Sequence, residues 1–205
     1  MTLHWSPRSP FVRKVMIAAH ELGLADQIAC RRTVVSMTTP NLDLLPDNPL
    51  SKIPALKLTD GTVLIDSVVI CEYLDSLAGG GKLFPPAGPQ RWTELSRHAL
   101  ANGLLDILIL WRNERDKAEA KQTASWLAAF HTKTAATLAH FEQQTPSLQQ
   151  TRFGIASITL GICLSYLDFR FAFLDWRRAH PQLAAWHADF KARPSAVATE
   201  VVDDL

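Results

Sequence analysis

The chain is predicted to fold in two unlike parts, an α/β half followed by an all-α half. Three observations predict this. Residues 1–79 alternate strand-like and helix-like stretches in the order β-α-β-α-β-β-α. Gly79-Gly80-Gly81, followed by Pro85-Pro86-Ala87-Gly88-Pro89, marks residues 80–89 as a linker of flexible glycines and stiff prolines. From Gln90 to Leu205 no hairpin signal recurs, and apolar residues repeat at helical spacing, so residues 90–205 form the helical half.

In order, Met1 to Trp5 is a short strand. Pro10 to Leu22 is a helix with Val12, Val15, Met16, Ala19 and Leu22 on one face, ended by Gly23. Ile28 to Val35 is a second strand, favoured by Thr33, Val34 and Val35. Between Thr39 and Asn48 the prolines leave room only for a short irregular helix. Ile53 to Leu58 and Thr62 to Ile65 are strands joined by the Asp60-Gly61 turn, and Asp66 or Ser67 caps a helix running to about Ala78. The first three strands are expected to form βαβ units and the last two an antiparallel hairpin. In the second half, helices are expected from Trp92 through Trp111, over Lys117 to Gln143, over Ile155 to Phe169 (apolar nearly all round, hence buried), and from Pro181 to Arg193.

Composition excludes several function classes. The 205 residues carry 21 basic and 20 acidic side chains, so no field of one sign is available to hold nucleic acid or an anionic membrane. The pairs Arg31-Arg32 and Arg177-Arg178 are expected to be solvated. Cys30, Cys71 and Cys163 make no Cys-x-x-Cys pair, which points to neither a metal site nor a redox dithiol. Set among apolar neighbours, they are expected to be buried free thiols of a reducing compartment. No signal peptide opens the chain and no apolar run reaches spanning length, so a cytoplasmic protein is expected.

The stretch with the most chemistry is Trp5-Ser6-Pro7-Arg8-Ser9-Pro10-Phe11-Val12-Arg13-Lys14. Pro10 suits the first helical position, which places Ser9 at the N-cap, beside free backbone N–H groups and the positive end of the helix dipole. A thiolate or another anion is favoured there.

Four motifs in order carry a family resemblance over essentially the whole chain. They are Ser9-Pro10-Phe11-Val12-Arg13-Lys14-Val15; Asn48-Pro49-Leu50-Ser51-Lys52-Ile53-Pro54-Ala55-Leu56; Asp66-Ser67 followed by Ile70-x-Glu72-Tyr73-Leu74; and Tyr166-Leu167-Asp168-Phe169-Arg170 with the tail from Trp176 through Ser195. With the linker between the second half and the first, the chain resembles the cytosolic glutathione S-transferase superfamily, and within it small bacterial serine-type members.

The resemblance implies a thioredoxin-like N-terminal domain that binds glutathione as co-substrate. The Ile53 backbone would pair with the cysteinyl part beside a cis Pro54. Asp66 and Ser67 would hold the γ-glutamyl end, and Lys52 would approach the glycyl carboxylate. It implies a homodimer; the thiolate chemistry requires no metal, and the balanced charge gives no support for a nucleic-acid or membrane partner. Ser9 is the expected hydrogen-bond donor to the thiolate, with Ser6 as the alternative register of a Ser-x-x-Ser arrangement. A small apolar electrophile is expected between the domains, against Phe11, Trp111 and Arg115.

The chemistry is modest in scale. A thiol with a pKa of about 8.5 is only about 3% ionised at neutral pH. Lowering that pKa by about two units needs about 2.7 kcal/mol. One hydrogen bond to the charged sulfur contributes about 1.5–3 kcal/mol and a helix start about 0.3–1 kcal/mol. Two other readings stay open: a non-catalytic binding or regulatory protein of the same fold, and a glutathione-dependent thiol reductase. Serine at both positions 6 and 9 argues against the reductase, because serine forms no mixed disulfide. One departure from the family pattern stands out. The buried helix begins Gly154-Ile155-Ala156-Ser157, without the usual Ser/Thr-x-x-Asp capping box, and is expected to lose about 1 kcal/mol at its start.

Overall fold

A computed structural model describes residues 1–204; Leu205, where the expected helical half ends, lies outside the described residues. The chain divides into two compact units. Residues 1–91 with the returning tail from Pro194 form one, and residues 92–193 form the other. The sequence reading groups that tail with the helical half, whereas its contacts lie in the first unit.

The first unit holds a four-stranded sheet in the order β2-β1-β3-β4. The strands are β1 (Thr2–Trp5), β2 (Ala29–Arg32), β3 (Ala55–Lys57) and β4 (Val63–Leu64), with helices α1 (Pro10–Glu21) and α2 (Ser67–Leu77). β1 runs parallel to β2, pairing Thr2 with Ala29 and Trp5 with Arg32. It runs antiparallel to β3, pairing Thr2 with Lys57 and His4 with Ala55. β3 and β4 are antiparallel.

Two expectations are corrected here. Residues 39–48 form turns and no helix, and the third strand is antiparallel to the first. The reason is shared. A parallel return needs a crossover to the far end of the sheet, usually a helix. Pro40, Pro46, Pro49 and Pro54 deny the 33–54 segment a helix. The segment therefore stays at the end of the sheet where β1 and β2 finish, and the chain re-enters there at Ala55 opposite His4. The third strand is also shorter than expected, since Pro54 has no N–H for the ladder and Ile53 stays outside it.

Side chains anchor this loop. His4, buried on β1, bridges Thr33 Oγ1 at 2.9 Å and Asp47 Oδ2 at 3.0 Å. Hydrogen bonds from Lys57 and His4 hold the Asp47 carboxyl below its usual value. Asn48, also buried, donates through Nδ2 to the Lys52 carbonyl at 2.7 Å and so fixes the approach to Ile53.

α1 is gripped by the tail. α8 (Pro194–Ala198) accepts the Arg13 guanidinium at the Ala196 carbonyl, 3.1 Å away, and Ser195 donates to Glu21. Arg8, inside the Ser6–Ser9 turn, meets Asp204 at 3.0 Å, and Arg32 meets the same carboxylate at 2.7 Å, so Arg32 is paired and not merely solvated. The expectation for the cysteines holds in part: Cys71 and Cys163 are buried, but Cys30 is exposed because β2 is an edge strand exposed along its length.

After α2 the glycine run does not hang loose. Gly79, Gly80 and Gly81 take φ values of 97°, 74° and 74°, a succession that side-chain-bearing residues strongly resist. This path turns the chain back onto Asp75, which is 2% exposed. Its carboxyl accepts the N–H groups of Lys82 at 3.0 Å, Leu83 at 2.9 Å and Phe84 at 3.3 Å.

The second unit contains α3 (Pro89–Arg115, from residue 92 onward), α4 (Ala124–Gln150), α5 (Ile155–Arg170), α6 (Trp176–Ala179) and α7 (Pro181–Lys191). α5 is buried almost throughout, as its composition predicts, and a Cβ on Gly161 would lie 2.3 Å from the Phe190 ring of α7. Among the described residues no single helix is long and apolar enough to cross a membrane.

The missing capping box has a physical replacement. Gly154 offers no side chain, but the Glu94 carboxylate of α3 reaches the Ala156 N–H at 2.8 Å. Two more helix starts are served in the same way. Glu114 accepts from Thr123 at the start of α4, at 2.7 Å, and Glu142 accepts from Gln182 and Leu183 at the start of α7, at 3.0 and 2.8 Å. The expected loss at α5 is therefore corrected: the cap is present and comes from another helix. Burial raises the Glu94 carboxyl above its usual value, against the pull of the Ala156 N–H and Arg97. Glu94→Ala is expected to destabilise the fold by about 1–3 kcal/mol, the cost of a buried donor left unmet. Glu94→Gln keeps an acceptor and should lose less, as denaturant unfolding of the pair will show.

Candidate functional site

The end of the sheet where β1 finishes gathers the starts of two helices and one strand. β1 leads directly into Ser6–Ser9, which opens α1. Ile53-Pro54 opens β3 opposite His4, and Asp66-Ser67 opens α2 after β4. The Ile53–Pro54 peptide is cis.

Ser9 is the N-cap of α1 and Pro10 its first residue. The Ser9 oxygen accepts the Val12 N–H at 3.3 Å, which leaves the hydroxyl proton to be given elsewhere. That proton has no acceptor among the described residues. Ser6 differs. It is 7% exposed, its oxygen accepts the Arg8 N–H at 3.4 Å, and its carbonyl accepts the Ser9 N–H at 3.2 Å. Ser9 is the half-buried member of the pair.

At the second helix start, Asp66 is the N-cap of α2 and accepts the Val68 N–H at 3.0 Å through one carboxylate oxygen. Ser67 is 2% exposed, and its oxygen receives a hydrogen bond from the Lys14 ammonium at 3.2 Å. This contact places the second turn of α1 against the start of α2. On the third element, neither the Ile53 backbone nor the exposed Lys52 ammonium has a hydrogen-bond partner among the described residues. The first unit thus brings Ser9, Ile53, Pro54, Asp66 and Ser67 to three element starts, with Lys52 beside them.

The expected electrophile-pocket residues are placed separately. Phe11 follows Pro10 on α1 and lies 5.2 Å, at its ring centre, from the Lys14 ammonium. Trp111 is buried in the second unit, 5.0 Å from Phe171 between ring centres, with His131 and Phe173 at its edges. Arg115 lies over the Phe171 ring at 4.8 Å and donates to the Arg170 carbonyl at 2.8 Å. Sequence reasoning missed two supports, Lys14 and Asn48. Each sat inside a quoted motif, and nothing in the sequence marked either of them for burial.

The second unit contains a cluster that looks like a nucleophile with its base. His187 is fully buried on α7, with Nε2 3.0 Å from Ser165 Oγ and Nδ1 3.8 Å from Asp168. The hydrogen bonds run the wrong way for catalysis. Arg177 can only donate, and its 3.0 Å contact makes Nδ1 the acceptor. Nε2 then carries the proton and donates to Ser165, whose own proton goes to the Gly161 carbonyl at 2.9 Å. The imidazole has no free lone pair with which to take the serine proton. Arg177 forms a two-armed ion pair with Asp168 and is not simply solvated. Burial opposes ionisation of Asp168, but hydrogen bonds from Arg177 and Trp176 outweigh it and hold the carboxyl below its usual value.

Burial pushes the His187 imidazole down to about 4, against the pull of Asp168. Between the ordinary value of about 6.5 and this one, the unfolded chain binds the proton and the native protein does not. The contribution of His187 is complete above about pH 6.5 and is lost as the pH falls towards 4. On the order of 3 kcal/mol is at stake. Stability curves for the protein and a His187→Gln variant should converge in acid relative to neutral pH; parallel curves would refute the assignment.

Comparison with known proteins gives the same picture of the fold. Residues 8–77 match the family description "Glutathione S-transferase, N-terminal domain", and residues 124–189 match "Glutathione S-transferase, C-terminal domain". The chain is 42% identical to a glutathione transferase family member from Pseudomonas fluorescens Pf-5, crystallised with bound glutathione, with a TM-score of 0.95 over 98% of this chain and 99% of that one. It is 31% identical to a glutathione S-transferase from Methylobacillus flagellatus, also with glutathione bound, with a TM-score of 0.87 over 98% and 99% of the two chains. It is 26% identical over 204 residues, 98% of each chain, to an Escherichia coli protein described as an uncharacterized GST-like protein, YibF. The chain belongs to the glutathione S-transferase family, and its first unit has the thioredoxin-like fold of that family.

Proposed function

We propose that the protein is a glutathione transferase in which Ser9 stabilises the glutathione thiolate for attack on a small apolar electrophile. The observation that carries this reading is the Ser9 hydroxyl. Its oxygen is engaged by Val12 N–H, its proton has no acceptor among the described residues, and it stands at the start of α1. An anionic sulfur placed there accepts that proton's hydrogen bond and the field of the helix start. Together these supply about the 2.7 kcal/mol that a two-unit pKa shift requires. The thiol proton leaves to solvent, the sulfur lone pair forms the new bond to carbon, and the displaced group departs with its electron pair.

The rest of the tripeptide is matched group by group. The Ile53 backbone offers one N–H and one C=O to the cysteinyl residue, in the antiparallel pattern of a strand edge. The exposed Lys52 ammonium suits the glycyl carboxylate. Asp66 has a second oxygen for the γ-glutamyl ammonium, and Ser67 with the first N–H groups of α2 suits the α-carboxylate. Glutathione bound in two solved relatives, at 42% and 31% identity, supports the assignment. Phe11 is the proposed electrophile contact carried by the first unit, and Trp111 and Arg115 are those proposed on the second.

Calorimetric titration with glutathione tests the reading. Saturable binding at millimolar ligand or below is expected, followed by conjugation activity against a panel of electrophiles. Absence of binding overturns it; binding without any conjugation identifies a non-catalytic member.

A further inference from the structure

Lys14 is fully buried in the second turn of α1, on a helix whose other buried positions are mostly apolar. Burying an ammonium is costly where a leucine or methionine would pack without that cost. Its Nζ lies 3.2 Å from Ser67 Oγ, and an ammonium can only donate. The Ser67 oxygen is therefore the acceptor, and the Ser67 hydroxyl keeps its own proton. The Ser67 hydroxyl makes no other hydrogen bond among the described residues. A hydroxyl proton at a site 2% exposed, polarised by an ammonium and standing at the start of α2, needs an acceptor, and the helix start favours an anionic one. The neighbouring Cys71 does not supply it: burial pushes that thiol up to about 12 and keeps it neutral. Ser9 and Lys14 are separated by about 7.5 Å along the axis of α1, close to the span of two extended residues.

We propose that Lys14 is a positioning residue for the α-carboxylate of the ligand, acting through Ser67, whose hydroxyl proton it turns towards that carboxylate. The inference rests on the glutathione reading above and adds to it the group that makes Ser67 a selective donor. Without Lys14 the Ser67 hydroxyl can rotate, its proton turning back onto local carbonyls and its oxygen presenting a lone pair to the ligand.

The test compares glutathione with 4-aminobutanoyl-cysteinyl-glycine, which keeps the ammonium and the thiol and lacks the α-carboxylate. Calorimetry is run on the unmutated protein, Lys14→Met, Ser67→Ala and the double variant. Lys14→Met is expected to cut the preference for glutathione by about tenfold while leaving affinity for the analogue nearly unchanged. The double variant is expected to be no worse than Ser67→Ala, because both changes remove one device. Equal weakening towards both ligands, or effects of the two changes that multiply, would overturn the role of Lys14. If Lys14→Met does not fold, Lys14→Gln, which keeps an N–H donor without the charge, is put to the same comparison. It is expected to retain part of the preference, and full retention overturns the proposal. Failure of the unmutated protein to bind glutathione overturns the glutathione reading itself, a result distinct from binding with an unchanged preference.

Discussion

Ser9→Ala is expected to lower the rate of glutathione conjugation at neutral pH by about 10- to 100-fold, the equivalent of one hydrogen bond to a charged sulfur. The cause is the thiolate population and not ligand affinity, because Ile53, Lys52, Asp66 and Ser67 are untouched. Two consequences separate this from a general loss of function. The KM for glutathione should change little, and the gap between variant and parent should narrow above about pH 9, where the free thiol ionises unaided. Ser6→Ala should leave the pH profile in place, since Ser6 is 7% exposed and its oxygen is engaged by Arg8 N–H within its own turn. Steady-state kinetics across pH for the two variants decides between the serines. A large loss in Ser6→Ala with none in Ser9→Ala would reverse the assignment.

Asp75→Ala is expected to be the most damaging single change to stability outside the apolar core. It removes the acceptor for three consecutive backbone N–H groups, and Leu83 and Phe84 are each only 3% exposed, so water cannot readily replace it. Lys82 is exposed, so two buried donors are left unmet, and at about 1–3 kcal/mol for each a total of about 2–6 kcal/mol is expected. For a protein of this size that corresponds to a fall of roughly 10 °C in Tm. Amide exchange gives the local readout. The N–H groups of residues 82–84 should be protected in the parent and exchange freely in the variant, with Asp75→Asn between them. Unaltered protection would show that the clamp is not what orders this segment.

Both expectations draw on features the sequence displayed unequally. Ser9-Pro10 is a local signal, a cap followed by the residue that suits the first helical position, and the structure forms it as the spacing predicts. α5 was equally legible, because a helix apolar on every face has nowhere to go but a core. The direction of β3 was not. It depends on where a loop delivers the chain, and prolines at positions 40, 46, 49 and 54 leave room at most for a short irregular helix without saying which end of the sheet the chain returns to. The caps of α4, α5 and α7 were hidden for a related reason. Glu114, Glu94 and Glu142 serve helix starts other than their own, and capping rules see only the few residues around each start. Gly79-Gly80-Gly81 read as flexible because composition does not reveal Asp75 folding back over the segment that follows. Cys30 read as buried after the apolar Ile28 and Ala29, but Arg31 and Arg32 follow it and β2 proved to be an edge strand.

In the site itself, Asp66, Ser67, Ile53 and Pro54 were legible through motifs, and Ser9 through its cap. Lys14 was visible only as the second basic residue of Arg13-Lys14, a pair that sequence alone gives no reason to bury. The site also shows a repeated device. At both helix starts a serine oxygen is occupied by a donor from within the protein, Val12 N–H for Ser9 and the Lys14 ammonium for Ser67, and in the proposed reading each hydroxyl proton is left for a ligand anion. One would meet a sulfur and the other a carboxylate.

In the proposed reading this protein makes glutathione's sulfur an anion at neutral pH. The direct measurement is a pH titration of thiolate absorbance in the complex of the unmutated protein with glutathione. A midpoint about two units below the free-thiol value of about 8.5 is predicted. A midpoint at the free-thiol value, with glutathione demonstrably bound, would contradict it.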